Sequence, residues 1–423
     1  MNVKPAADPT QEFMQSGIRI GNGGQPMFLM AALKISLGVV VILALLGVSL
    51  HAIAIKPPRV PQGDVSPDEV TSYIENVIAS RSATAMSVAV IRDGEVIWEH
   101  AAGQANPFED RAATTTSVYH VWSVTKVATA LAVLDLAEEG LLDLDAKVSD
   151  LLPWFKVAQP EGRAITVRDL LRHTSGLRDT VPAVFGWLRY DEYLPNQTEY
   201  LRAKMPDYAS LKFLPGEDRR YSNLGYMVLG AVIEVVTGET YEDVVRERVL
   251  APAGMTTADF VFNPDIAPDE VLGSHPAIHV FSPLLPFMIN MREFVQTRQG
   301  QLLWLNRLYV EATPPTGLIS SAKDAALLAD AAMRGGVLLG SDAVDMMVPA
   351  SDENVPLGWF ETGGQTRRWL QHRGGGPGYA AAVRIYPEEN LAIAVLASGT
   401  AAPAADVANL IAKAFSFTDI REN

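Results

Sequence analysis

The chain has 423 residues, 48% of them hydrophobic, and a net charge of −15. That length supports one large core or two medium ones, while the acidic balance and the lack of a basic run argue against nucleic acid as a partner. No cysteine is present, which excludes disulfides, thiolate metal sites and a cysteine nucleophile.

Residues 1–34 are rich in polar residues, Gly and Pro and read as a disordered cytoplasmic leader. Residues 35–55 form a near-continuous apolar run, long enough as a helix to cross a hydrocarbon layer of roughly 30 Å. The run reads as a retained membrane anchor. Ala52-Ile53-Ala54 keeps open a cleaved signal segment, with secretion after Ala54. In either case the rest of the chain is expected to be periplasmic or extracellular. Residues 56–65 form a Pro-containing linker, 66–416 a folded domain and 417–423 a tail.

Ser66-Pro67-Asp68-Glu69 opens a helix to about Ser80. Ala85–Ile91 and Glu95–His100 read as a hairpin around Arg92-Asp93-Gly94. A helix over Val127–Glu139 follows, ending at Gly140 in the C-cap position. Ser123 sits at its start with Lys126 one turn on, so both side chains share a face. A helix N-terminus favours negative charge, and a partly dehydrated lysine gives up its proton more readily than a solvated one. Neutral Lys126 can then take the proton of Ser123 and make it an acylating nucleophile.

Leu141–Trp154 reads as short turns and Ile165–Leu171 as a short helix stopped by His173-Thr174-Ser175-Gly176. We read His173 as a residue that fixes this turn by hydrogen bonds, not as a base. Leu224–Val236 and Tyr241–Val249 read as helices, and Phe260–Tyr309 as a long insertion, a flap or a membrane-contacting patch. His275 and His279 flank Pro276 without a carboxylate motif and are not assigned to a metal. Ala322–Met333 is a helix, and Arg373–Gly378 reads as a glycine-dense turn. Ala381–Ile385 and Leu391–Ala397 form a second hairpin, followed by a helix over Ala404–Phe415. Strands at both ends and helices between them predict an α+β fold. An antiparallel sheet built from N- and C-terminal strands is flanked by helices, with a mostly helical inserted subdomain.

Three stretches in order, Ser123-x-x-Lys126, Tyr221-Ser222-Asn223 and His372-Arg373-Gly374, resemble the serine β-lactamase and penicillin-binding-protein superfamily. The likeness is greatest to its class C and family VIII esterase-like branch. It covers about Ser66 to Phe415 and includes ITVRDLLRHTSGL, FLPGEDRRYSNLG, GLISSAKD and Gly358-Trp359. The resemblance implies a catalytic group of Ser123, Lys126 and Tyr221, with Tyr221 passing a proton to the leaving group. It implies an oxyanion hole from the backbone N–H groups of Ser123 and Gly375. It implies substrate contacts from Asn223, His372 and Gly374, with Gly374 and Gly375 letting the edge strand approach the substrate. No cofactor or metal is implied.

His372 stands where many members carry lysine. A mostly neutral histidine cannot replace a fixed cation for a substrate carboxylate, and Arg373 next to it should face outward on a strand. The expected function is an exported serine hydrolase forming a Ser123 acyl-enzyme on ester or amide bonds of small molecules or peptides. A β-lactamase or D-alanyl/D-amino-acid peptidase is the alternative, and a non-turnover penicillin-binding or sensor module a further one.

Overall fold

The computed structural model describes residues 55–157, 163–179, 187–193, 196–278, 290–350, 355–364 and 367–415. These belong to one compact unit, Ile55–Asn423. The expectations for the leader, for the apolar run except Ile55 and for the tail lie outside the described residues. Among the described residues no helix is long and apolar enough to cross a membrane.

The centre is a seven-stranded antiparallel sheet. Its strands are β1 (Ala85–Arg92), β2 (Glu95–Asn106), β3 (Arg111–Ala112), β4 (Glu361–Gly363), β5 (Trp369–Gly376), β6 (Tyr379–Tyr386) and β7 (Leu391–Ser398). Their spatial order is β4-β5-β6-β7-β1-β2-β3. Joining β7 to β1, in register from Ala85 opposite Ser398 to Arg92 opposite Leu391, closes the two ends of the chain into one sheet.

The middle strands are buried on both faces, which explains their nearly unbroken apolar sequence. On β1, Met86, Val88 and Val90 face one layer while Ala85, Ala89 and Ile91 face the other. The first layer holds two helices near the ends of the domain, α1 (Pro67–Ala79) and α6 (Ala404–Ala414). Ser66 caps α1 reciprocally with Glu69, and Pro67 occupies the first turn, where its missing N–H costs nothing.

The second layer holds α2 (Thr125–Glu138), α3 (Val167–Arg172), α4 (Asn223–Thr237) and α5 (Ala322–Met333). Helix α2 is buried almost all round, from Thr125 to Leu134 without a break. It therefore carries no amphipathic stripe and serves as the axis of the large core.

Several elements differ from the sequence reading. Ser123 lies in a 3-10 turn, Trp122–Val124, that leads into α2. The stretch Arg373–Gly376 is strand, and only Pro377-Gly378 makes the turn to β6. Glycine content misled the reading there, because Gly374 and Gly376 serve close packing. The second helix of the middle region is Tyr241–Val245, continued by a π turn over Arg246–Leu250. The described parts of the 260–309 insertion are not all loop. Ser274–Pro276, Leu302–Leu305 and Val295–Gln299 form a small antiparallel sheet. Phe281, Phe287 and His279, part of the flap and metal-site readings, lie outside the described residues.

Leu131 is fully buried at the middle of α2. Leu131→Ala should cost about 2–5 kcal/mol, seen as a lower denaturant midpoint with unchanged slope. A loss below about 1 kcal/mol would contradict the placement of α2 at the core's axis.

Candidate active site

The turn that presents Ser123 is strained. Trp122, just before it, has φ +47°, a left-handed conformation that bulky side chains rarely adopt. The turn is held from three sides. Thr125 Oγ1 donates to the Trp122 carbonyl at 2.6 Å, and Leu318 N–H donates to Thr125 Oγ1 at 3.1 Å. The third support is β5. A Cβ on Gly374 would lie 1.9 Å from the Val121 carbonyl oxygen, and one on Gly376 would strike the Trp122 ring at 2.5 Å. The turn that carries Ser123 thus by itself requires glycine at 374, which also lines the cleft, where the resemblance implied a substrate contact. A Cβ on Gly375 meets nothing within 4 Å, so this glycine borders the open cleft.

Lys126 is fully buried. Its Nζ lies 3.3 Å from Ser123 Oγ, 2.7 Å from Asn223 Oδ1 and 3.0 Å from the Pro315 carbonyl oxygen. A neutral amine has two N–H groups and one lone pair. Two of its neighbours are obligate acceptors, so the lone pair is left for the Ser123 hydroxyl. Burial pushes the Lys126 pKa well below its ordinary value, and the Asp179 carboxylate opposes that only in part. The structure therefore places a nucleophile and a dehydrated amine in direct contact.

Tyr221 precedes α4 and lies beside the same group, with Lys126 Nζ 4.8 Å from its ring centroid. Its hydroxyl is buried with no well-directed hydrogen bond, and the Ser123 side chain offsets the effect of burial only in part. Burial raises the phenol far above its ordinary value, so Tyr221 stays protonated. That state suits a proton donor and does not supply a resting base. Asn223 turns its oxygen to Lys126, so this atom is committed to the lysine and not to a substrate.

His372 is buried on β5 and lines a cleft of about 550 Å³ together with Ser123, Tyr221, Gly374 and Gly375. Its Nδ1 lies 3.0 Å from the Arg373 carbonyl oxygen, which can only accept. The proton must therefore sit on Nδ1, leaving Nε2 as a buried acceptor without a partner. Burial, then the nearby Lys126, push its pKa down to about 3. Arg373 does not leave the cleft as the strand alternation suggested: it lines the cleft's open side and pairs there with Glu361 at 2.5 Å. Past Gln371, β5 has no strand partner on its outer edge among the described residues, which leaves backbone groups of 372–376 free there.

Two positioning residues escaped the sequence reading. Asp179, twelve residues beyond Val167, bonds the N–H groups of Asn223 at 2.6 Å and Leu224 at 3.0 Å, and accepts from Ser222 Oγ. It caps α4 and fixes where Asn223 points. Arg219 donates to the carbonyls of Arg172, Trp359 and Phe360, which seats the Phe360 ring edge-on against Tyr221. The only sequence signal for either was a charged residue next to a motif. His173 has the turn-fixing geometry expected of it. It ends α3 at φ +60°, and its Nδ1 accepts the Ser222 N–H at 3.1 Å.

The pattern of three motif segments on one cleft agrees with the comparisons. The family model described as Beta-lactamase matches residues 70–415. The chain belongs to the beta-lactamase family. Penicillin-binding protein 4* of Bacillus subtilis (strain 168) is 26% identical over 311 residues, covering 71% of this chain and 65% of that protein. The chain spans just under two thirds of that relative's length, and the matches to the next relatives span 41% and 42% of theirs. The fold is shared with the octameric penicillin-binding protein homologue from Pyrococcus abyssi, with TM-score 0.66 and 24% identity over 82% of this chain and 76% of that one. It is shared too with a D-amino acid amidase from Ochrobactrum anthropi SV3, with TM-score 0.65 and 19% identity over 82% of this chain and all of that one. The matched proteins thus bear the names of penicillin-binding proteins and of an amidase.

Gly374→Ala should abolish folding of the nucleophile turn or lower activity about 100-fold, whereas Gly375→Ala should keep wild-type thermal stability. Equal behaviour of the two would contradict the contact between Gly374 and Val121. Acid stability gives a second check. Because His372 is held neutral, the unfolded chain binds its proton first as pH falls below about 6.5. The fold should lose up to about 1.4 kcal/mol per pH unit from this group between pH 6.5 and 3. His372→Gln should flatten that part of the plot of melting temperature against pH.

Proposed function

We propose that the protein is an exported serine hydrolase that cleaves esters or amides lacking a carboxylate next to the scissile bond. The contact between Ser123 Oγ and the buried, charge-depleted Lys126 amine carries the hydrolase reading. Export rests on the apolar run at 35–55 alone.

In the reaction, Ser123 Oγ attacks the substrate carbonyl carbon and its proton passes to Lys126 Nζ. The oxyanion is received by the backbone N–H of Ser123, which lies in a first turn with no carbonyl four residues back, and by that of Gly375. Tyr221 gives its proton to the leaving group as the carbonyl–heteroatom bond breaks, and Lys126 restores it. Water then attacks the acyl-enzyme by the same route, releasing the acid and the serine hydroxyl.

Substrate preference follows from His372. It offers the cleft an acceptor lone pair, which attracts an N–H or O–H and repels a carboxylate oxygen. Arg373 also lines the cleft, and its guanidinium is paired there with the Glu361 carboxylate. This weighs against the β-lactamase and D-peptidase readings, whose substrates carry that carboxylate.

A short-chain p-nitrophenyl ester should be turned over by the intact protein and not by Ser123→Ala. A single burst of about one equivalent without turnover would indicate the non-turnover module instead. The KM for an ester bearing a carboxylate, relative to its neutral counterpart, should stay constant from pH 5 to 8, because His372 is uncharged throughout. A ratio that falls at acid pH would show that His372 titrates and supplies a cation.

A further inference from the structure

Behind Lys126, away from the cleft, lies a fully buried polar network that the reaction above does not use. It centres on the turn Thr313–Thr316, which carries two consecutive prolines and packs between α2 and α4. Both proline carbonyls serve one face of α2. Pro315 accepts from Lys126 Nζ at 3.0 Å, and Pro314 accepts from Thr129 Oγ1 at 2.7 Å. Because Thr129 spends its proton on Pro314, the Tyr241 hydroxyl at 2.8 Å must donate to it. On the other side, Thr313 Oγ1 donates to the Glu242 carboxyl. Thr129, Thr313 and Tyr241 are wholly buried, and Glu242 nearly so. A carboxyl group in such a place costs free energy unless its bonds are made, so a purely apolar filling would have been the simpler core.

We infer that Glu242, Thr129 and Tyr241 are positioning residues that lock the Thr313–Thr316 turn. By aiming the Pro315 carbonyl, they set the direction of the Lys126 lone pair and its proton affinity. The prolines matter twice: their fixed φ stiffens the turn, and they bring no N–H groups of their own to be satisfied in the core. Gly230 on α4 completes the seat, since a Cβ there would lie 2.3 Å from the Pro314 ring. A loosened turn would carry the Pro315 carbonyl off Lys126 and leave the amine free to drift from Ser123. Burial would persist while the ammonium lost an acceptor, so its pKa would fall further.

The other groups facing Lys126 are the rings of Tyr221 and Tyr226 at 4.8 and 5.5 Å, Asp179, Asn223 and the two neutral histidines 173 and 372. None of them bonds to Glu242 or Thr129; Thr129 Oγ1 also lies 3.3 Å from the Thr125 carbonyl on α2, so Glu242 is the member that reads on Lys126 through the turn.

The inference rests on Lys126 being the base, and the test separates the two. The full chain and its Thr129→Val, Glu242→Ala and Glu242→Gln forms are assayed on a p-nitrophenyl ester across pH 5–10, with melting temperatures alongside. Thr129→Val and Glu242→Ala should lower kcat about tenfold at unchanged KM and move the acid limb of kcat/KM down by about half a pH unit or more. Glu242→Gln, which keeps an oxygen acceptor for Thr313, should recover most of that loss. An unmoved acid limb in folded Thr129→Val and Glu242→Ala proteins would overturn the inference while leaving the hydrolase reading intact. Absence of ester turnover in the parent protein would fail that reading first.

Discussion

A lysine amine with no access to water is the constraint on which the rest of this structure depends. An ammonium removed from solvent is costly, and the protein answers by letting Lys126 lose its proton readily and by surrounding it with two fixed acceptors. Those acceptors come from elements far apart in the chain, Asn223 on α4 and Pro315 in the turn before the Leu318–Ser320 strand. Burying one side chain therefore requires α2, α4 and that turn to meet at a single point. The large core forms around this junction, which is why α2 is buried on all sides.

The second organising contact is between β5 and the nucleophile turn. The strained backbone at Trp122 is stored where Thr125, Leu318 and the glycine strand determine it from three directions. A strand that packs so closely on backbone can carry no side chains at Gly374 and Gly376. The same strand carries His372 on its inner face and Gly375 on the cleft, so the geometry of the nucleophile and the polarity of the cleft are set by one element. The sheet that holds β5 is assembled from both ends of the chain, with β7 against β1, so the site is complete only when the whole domain has folded.

Electrostatically the cleft differs from one built to hold an anion. His372 is neutral with its proton turned to the Arg373 carbonyl, Arg373 is paired with Glu361, and Lys126 is itself charge-depleted. What remains is a set of acceptors and backbone donors, and the proposed preference for a neutral carbonyl substrate rests on it. Tyr221, held protonated by burial, is the proton donor of the proposed reaction.

Much of this was legible in the sequence, because it depends on local chemistry. Spacing placed Ser123 and Lys126 on one helical face, alternation and turn residues located both hairpins, and the three motif segments in order indicated the family. Nothing local could show that Arg373–Gly376 is strand, since glycines read as turn unless the partner they accommodate is known. Nor could the sequence reveal Asp179, Arg219 or the Glu242 network, whose contacts join residues 40 to more than 100 positions apart. The protonation states of Lys126, Tyr221 and His372 likewise depend on burial, and burial exists only after packing. Residue type and spacing by themselves picked out the candidate catalytic groups. Tertiary structure alone decided their charge and direction, because desolvation and hydrogen-bond partners are properties of the assembled core.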